Sequence, residues 1–368
     1  MKKKWLYVCL SSMLITVLHA SEVKNPDKAL KGRFDFTLNK VWEVDAAGEA
    51  SFSRPRKIIV SENGTIYIED PRHKKYFILD SNGKYKGAFG KQGEGPGEIQ
   101  RIAQANIFLV NSKIIIADVS RLHYFTMEGK FSKSVLNQKR PVIFLDEDEF
   151  ISSPIALNQM PDGKGKILKI DLKSKTESVL AEFSASLAGT IHDSIGARTY
   201  IAVGLTPMMV VGFHDGNVYY GMNHEYRIKV LGTDGKIKHI FSIPGRKKKP
   251  ITDKVKRQQL ESSPQKPPPD IIEKIVKSQP NECTYFDYIE VHNGLIYLFL
   301  SNPFPKNFYE IDIFSLEGKY LYFAQIKVEE NLTIIRKPVI KNNHLYMAVE
   351  YEDGEVKIAK YKISLPKL

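Results

Sequence analysis

Two short stretches bring together residue types that do acid–base and anion chemistry. "DPRHK" starts at Asp70 and "DVSRLH" at Asp118, and each comes after an apolar run. One turn therefore holds Asp70, Arg72 and His73, and the other holds Asp118, Arg121 and His123. A carboxylate, a guanidinium and an imidazole together can bind an anion or move a proton. Each aspartate can equally cap its own turn by accepting backbone N–H groups. Repetition in successive copies favours the cap, because structural roles recur in repeats and catalytic roles rarely do. Asn223 and His224, in "NHEYRI" at 223–228, complete the set of ligand-binding candidates.

Other stretches with chemical potential fail on spacing. "KQGEGPGEI" at 91–99 carries three glycines and a proline. It matches neither the Walker A loop nor the G-x-G-x-x-G fingerprint. The residues after it are strand-like, so no helix N-terminus is there to hold phosphate. It reads as a sharp turn with glycines at positive φ. His192, Asp193 and Ser194 have the types of a catalytic triad, but triad members converge from separate segments. HExxH and G-x-S-x-G are both missing from the sequence. Cys283 precedes a strand with no histidine nearby, and is expected to be a buried structural thiol. No cofactor and no metal site is expected from these residues.

The turns belong to a repeat. "GTIYIEDPRHKKYFILDSNGKYKGAF" from Gly64 and "SKIIIADVSRLHYFTMEGKFSKSV" from Ser112 align with a 48-residue offset, which carries Asp70 onto Asp118, Tyr76 onto Tyr124 and Phe77 onto Phe125. Weaker copies start at Asp148, Gly216, Gly294 and Asn343, for six in all. Each copy is a run of short alternating strands joined by Asn-Gly, Asp-Gly or Glu-Gly turns, the signature of tight hairpins. Four antiparallel strands in about 45 residues make a propeller blade. The fold class is therefore all-β: a six-bladed β-propeller of four-stranded antiparallel blades, forming one domain over 21–368. The last copy is one strand short, and "GRFDFTLNKVWEV" near the start belongs to no copy. That segment is expected to supply the missing outer strand and close the ring.

"FGKQGEGPGEI" after "FILDSNGKYKGA" resembles the inter-blade link of NHL-type six-bladed β-propellers. Its Gly-Pro-Gly-Glu form is similar to that of a group of exported bacterial propeller proteins. The likeness is clearest over residues 55–135, with weaker stretches at 206–243 and 284–325. Ile99 stands where the family has phenylalanine, and "NHEYRI" keeps the family's Asn-His-Arg-Ile element only loosely. The resemblance implies the fold and export, and implies no single activity.

Export is also expected from the leader. Lys2, Lys3 and Lys4 precede an apolar run over residues 5–18, and Ala20 offers a cleavage point, the order of a secretory signal peptide over 1–20. Cleavage leaves no membrane span, and the protein is expected to be periplasmic or extracellular and monomeric. Of the formal charge of +12, residues 246–277 account for +6, so the excess is local rather than a nucleic-acid-binding surface. This segment lies in an insertion, 245–280, between the fourth and fifth blades. It is expected to form a helix from Thr252 to about Leu260 and another over Asp270–Lys277, with Asp270 and Glu273 as a capping box.

Two functions fit this sequence. The first is a binding module that recognises a peptide, glycan or protein partner at one face of the ring. The second is a metal-dependent lactonase-like hydrolase or lyase with one divalent cation at the central channel, for which Asp118, Asn223 and Asn302 are candidate ligands. Nucleic acid is not expected as a partner.

Overall fold

The computed structural model describes residues 21–53, 55–154, 164–184, 191–192, 199–200, 207–261, 267–302 and 306–368. The expected signal peptide, Asp193 and Ser194 lie outside them. The chain folds as a six-bladed β-propeller. Blade 1 is Lys57–Val60, Ile66–Asp70, Lys75–Leu79 and Tyr85–Phe89, hydrogen-bonded in that order from the axis outward. Blade 2 is Asn106–Val110, Lys113–Ala117, Arg121–Thr126 and Phe131–Leu136. Blade 3, the most degenerate copy, is Pro141–Phe144, Glu149–Ser152, Lys164–Asp171 and Thr176–Ser184. Blade 4 runs Met209–His214, Asn217–Met222, Arg227–Gly232 and Ile237–Ser242. Blade 5 runs Phe286–His292, Leu295–Leu300, Phe308–Ser315 and Tyr320–Lys327.

Middle strands are buried on both faces, so they read as nearly continuous apolar runs such as "LIYLFL" at Leu295–Leu300. A single blade leaves both faces exposed, and the ring buries them pairwise. Among the described residues six apolar clusters fill the six interfaces. Between blades 4 and 5, for example, Tyr219, Val230 and Phe241 meet Ile296, Leu298 and Phe314. Burying one such side chain stabilises by about 1.5–3 kcal/mol.

Glycine is required where blades touch most closely. Gly318, in the turn between the third and fourth strands of blade 5, has φ +83, and a Cβ there would lie 2.6 Å from Phe241 Cβ in blade 4. Gly129 repeats the arrangement against Phe89, with φ +82 and 2.8 Å. The link at 91–99 differs from the expectation of positive φ at its glycines. Within it only Gly97 has positive φ, +74. At Gly93 a Cβ would fall 2.0 Å from the Glu98 carboxylate, so that side chain would have to shift. That carboxylate accepts the Gly95 N–H at 2.9 Å and pairs with Lys91 at 2.8 Å, so the acidic residue folds the loop back on itself.

Blade 6 closes the ring. Its inner strand is split into Leu332–Ile334 and Val339–Lys341, and His344–Tyr351 and Val356–Ile363 come next. Leu38–Val44 then pairs antiparallel with Val356–Ile363 and supplies the fourth strand. The rest of the N-terminal segment goes elsewhere. Ser21–Lys24 adds a fifth, parallel strand to the rim of blade 4, and Arg33–Asp35 does the same for blade 5. Asn25 pins this strap: its side chain donates to the carbonyls of Ser242 (3.2 Å) and Gly318 (2.8 Å) and accepts the Tyr320 N–H (2.8 Å).

The insertion forms two helices, α1 (Asp253–Glu261) and α2 (Pro269–Ser278). The expected capping box does not form. Proline leads α2 one residue early, and Pro268 at the cap offers no side-chain acceptor. Asp270 sits inside the first turn, where its charge still complements the helix dipole. Glu273 pairs across to Arg257 of α1 at 2.7 Å instead. The hairpin has its own apolar core of Leu260, Ile271, Ile272, Ile275 and Val276. Lys256, buried at 1% exposure, donates to Asp253, to the carbonyls of Val276 and Gln279, and to Asn281, so the last turn of α2 is satisfied by a cation.

Candidate functional site

Second strands end, and inter-blade links enter, on one face of the ring. The candidate residues all lie on this link face. Asp70 is fully buried and accepts the Arg72 N–H (3.1 Å) and, from the link entering blade 1, the Ser53 N–H (3.4 Å). Asp118 holds the link entering blade 2 more tightly, through the N–H groups of Gln100 (2.6 Å) and Arg101 (3.4 Å), and also accepts from Val119 (2.7 Å). Asn223 occupies the same place in blade 4, where its amide oxygen accepts the Met208 N–H at 2.7 Å. In blade 5 the place is taken by Ser301, whose hydroxyl bonds Thr284 and Asp287. In blade 3 Ser152 donates to the Arg140 carbonyl. A polar residue at the end of the second strand thus fastens the incoming link in five blades.

The other candidates surround this framework. His73 approaches Asp70 at 3.2 Å, off the hydrogen-bond line, and keeps about a quarter of its surface exposed. Arg72 reaches the Ser53 hydroxyl at 2.6 Å. Arg121 is exposed at the start of its strand. His123 is buried, bonds the Ser134 hydroxyl at 2.9 Å, and lies 3.9 Å from Asp118. Burial pushes its imidazole below the ordinary value, against the opposing pull of Asp118. His224 is half-buried, and burial lowers it as well. Asn302 donates its backbone N–H to Asp287 at 3.4 Å. Burial pushes the Asp287 carboxyl up, while Ser301 and Asn302 hold it down. Among the described residues no group of three His, Cys, Asp or Glu is placed to hold a metal ion. Cys283 is buried beside Ile251, and burial raises its thiol.

A second constellation lies nearer the axis. "RKIIV" at 56–60, "KRPVIF" at 139–144 and "RKPVIK" at 336–341 each put basic residues just before or at the start of an inner-strand segment. Arg56 is committed to structure: it pairs with Glu69 at 2.5 Å and donates to the carbonyls of Ala103 and Ala105. Lys57 donates to the Ile107 carbonyl at 3.0 Å and lies 4.9 Å over the Phe108 ring. Arg140 touches the Gln104 carbonyl at 3.4 Å, and Arg336 donates to those of Pro55 and Ile335. Lys337 pairs with Glu290 and lies over the rings of Tyr288 (5.2 Å) and Phe299 (5.4 Å). Burial lowers Lys57 to about 8, and Arg56, Lys337 and Arg140 push it the same way while Glu69 opposes. Blades 1, 3 and 6 therefore bring their cations within electrostatic reach of one ammonium. Sequence reading missed this group, although the three strand-initiating motifs were visible.

A buried network anchors the insertion beside this face. Asp312, with no exposed surface, accepts from Arg246, Tyr226 and Tyr320, and Arg246 lies 5.4 and 5.5 Å over the two tyrosine rings. Between blades 3 and 4 a cleft of about 690 Å³ opens on the same face, lined among others by Lys166, Glu182, Met209, Met222 and Arg227.

Residues 47–146, spanning blades 1 and 2 and the first strand of blade 3, match the family DUF5128, described as a 6-bladed beta-propeller. No curated protein matches the chain in sequence. Its backbone is similar to that of a DUF4221-family member from Bacteroides vulgatus, with 11% identity, TM-score 0.54, and 90% of this chain and 99% of that one covered. A candidate exported protein from Bacteroides fragilis aligns at 12% identity and TM-score 0.47, covering 94% and 99%. Virginiamycin B lyase from Staphylococcus aureus aligns at 11% identity and TM-score 0.43, covering 90% and 100%. At these identities the first likeness speaks for the fold alone. No helix among the described residues is long and apolar enough to cross a membrane.

Proposed function

We propose that the protein is an exported binding module that recognises a peptide, glycan or protein partner on the link face of its propeller. One observation carries the reading: on this face the buried polar residues are spent on holding the links, while a rim of arginine and histidine side chains surrounds them. Asp70, Asp118 and Asn223 fix the scaffold. Arg72, His73, Arg121 and His224 are then the side chains offered to a partner from several blades at once. A rigid surface binds with little ordering cost. Export rests on the basic and apolar leader at 1–20. The hydrolase or lyase alternative needs a divalent cation at the channel, and a cluster of cations there repels one.

Screening the chain against a glycan array and a peptide library tests this. The wild type is expected to retain a restricted set of ligands. A variant carrying Arg72→Ala, Arg121→Ala and His224→Ala should lose them, and Lys236→Ala, in a turn on the opposite face, should not. Retention by the triple variant together with loss in Lys236→Ala would assign recognition to the other face.

A further inference from the structure

We propose that the axial mouth of the link face is an anion site, taking the carboxylate or phosphoryl group of a small ligand between Lys57, Arg140, Arg336 and Lys337. This deepens the binding reading of the same face and rests on it. With Arg56, five basic residues gather here, and only two carboxylates answer them in ion-pair range among the described residues, Glu69 for Arg56 and Glu290 for Lys337. Lys57, Arg140 and Arg336 have backbone carbonyls as their hydrogen-bond partners among the described residues. Carbonyls fix position without neutralising charge. Among the described residues Lys57 spends one of its three donors in this way, and each arginine keeps further N–H groups unspent.

Crowding like charges in a partly desolvated place is unfavourable unless something returns the energy. Burial is the main cause that lowers the Lys57 ammonium; Glu69 opposes it, and Arg56, Lys337 and Arg140 add to the lowering. Burial and Arg56 likewise lower Arg140. An arriving oxyanion relieves the repulsion and accepts charge-assisted hydrogen bonds, the stronger class. Forked guanidinium groups suit a planar carboxylate or a phosphoryl group. Tyr288 supplies an aromatic wall: it stands on an inner strand, yet its surface is 42% exposed, with Lys337 over its ring. That wall fits a ligand whose charged group is attached to a ring or carbon skeleton.

Calorimetric titration of the full chain at constant ionic strength tests the site, with inorganic phosphate, glucuronate and, as the neutral counterpart, glucose. At least one of the two anions should bind saturably at one site per chain, and glucose should not. Preference between the anions identifies the group as phosphoryl or carboxylate. Arg140→Gln and Arg336→Gln should each weaken binding by about tenfold or more, as expected for a lost charge-assisted bond. Lys236→Ala should leave it unchanged. Absence of saturation by either anion overturns the proposal, as does wild-type affinity in both arginine variants. If an array ligand binds the link face yet ignores both arginine variants and depends on Arg72, Arg121 and His224, the axial site falls and the binding reading stands.

Discussion

Replacing Asp118 by alanine separates a framework residue from a ligand contact. Its carboxylate accepts two short backbone bonds, from Gln100 at 2.6 Å and Val119 at 2.7 Å, and a longer one from Arg101 at 3.4 Å. Hydrogen bonds to a charged group contribute about 1.5–3 kcal/mol each, and long ones much less. Losing the two short bonds should cost about 3–6 kcal/mol. Unfolding entropy near 2.1 cal/mol/K per residue gives about 0.7 kcal/mol/K for a chain of this length, so the melting temperature should fall by about 4–9 °C. Asp70→Ala should cost about half as much, because its bonds are 3.1 and 3.4 Å. Asp118→Asn, which keeps one acceptor oxygen, should fall between wild type and alanine. Urea and thermal melts measure all three. An Asp118→Ala protein that melts with the wild type would refute the framework role and return Asp118 to the set of ligand contacts.

The packing and the charges lead to four further outcomes. Gly318→Ala forces a Cβ into Phe241 at positive φ and should cost about 2–4 kcal/mol, whereas Gly354→Ala, at φ +85 with open space around it, should cost about 1–2 kcal/mol in thermal melts. Arg246→Met strands the buried Asp312 carboxylate and should destabilise by about 3–5 kcal/mol, and adding Asp312→Leu should recover part of that loss. Lys57 sits at about 8 in the fold against 10.5 unfolded, so the unfolded chain binds more protons between these values and the group's contribution to stability rises with pH across 8 to 10.5. Urea melts from about pH 7.5 to 9.5 should therefore show wild type gaining on Lys57→Met. Deleting residues 21–32 removes the Asn25 clasp and the strand on blade 4 and should lower the melting temperature modestly, while deletion through residue 44 opens blade 6 and should lower it sharply.

Much of the architecture was readable because the repeat is written in turn chemistry. Asp-Gly and Glu-Gly turns mark the outer hairpins, and the missing strand of the last copy pointed to the pairing of Leu38–Val44. The rim strands Ser21–Lys24 and Arg33–Asp35 were not readable. They are short, largely exposed and parallel to their partners, so no alternation marks them and the partner lies some 200 residues or more away. The start of α2 was misplaced because a proline pair outranked a carboxylate as the helix start. Asp70 and Asp118 were legible as turn caps from their repetition, but not as anchors of the preceding links, since that contact spans 17 or 18 residues. The axial cations were overlooked for a different reason. Each is an ordinary basic residue beside a strand, and only the ring brings blades 1, 3 and 6 together.

A hydrogen–deuterium exchange footprint of the strongest array ligand tests the central claim most directly. Protection is expected in the link-face segments that carry Arg72 and His73, Arg121, and His224, and it should extend to Arg56 and Lys57, Arg140, and Arg336 and Lys337 where the ligand's anionic group reaches the axial site. The opposite turns, with Gly83, Gly235 and Gly318, should exchange as in the free protein. Protection confined to those turns or to the outer rim strands would contradict recognition at the link face.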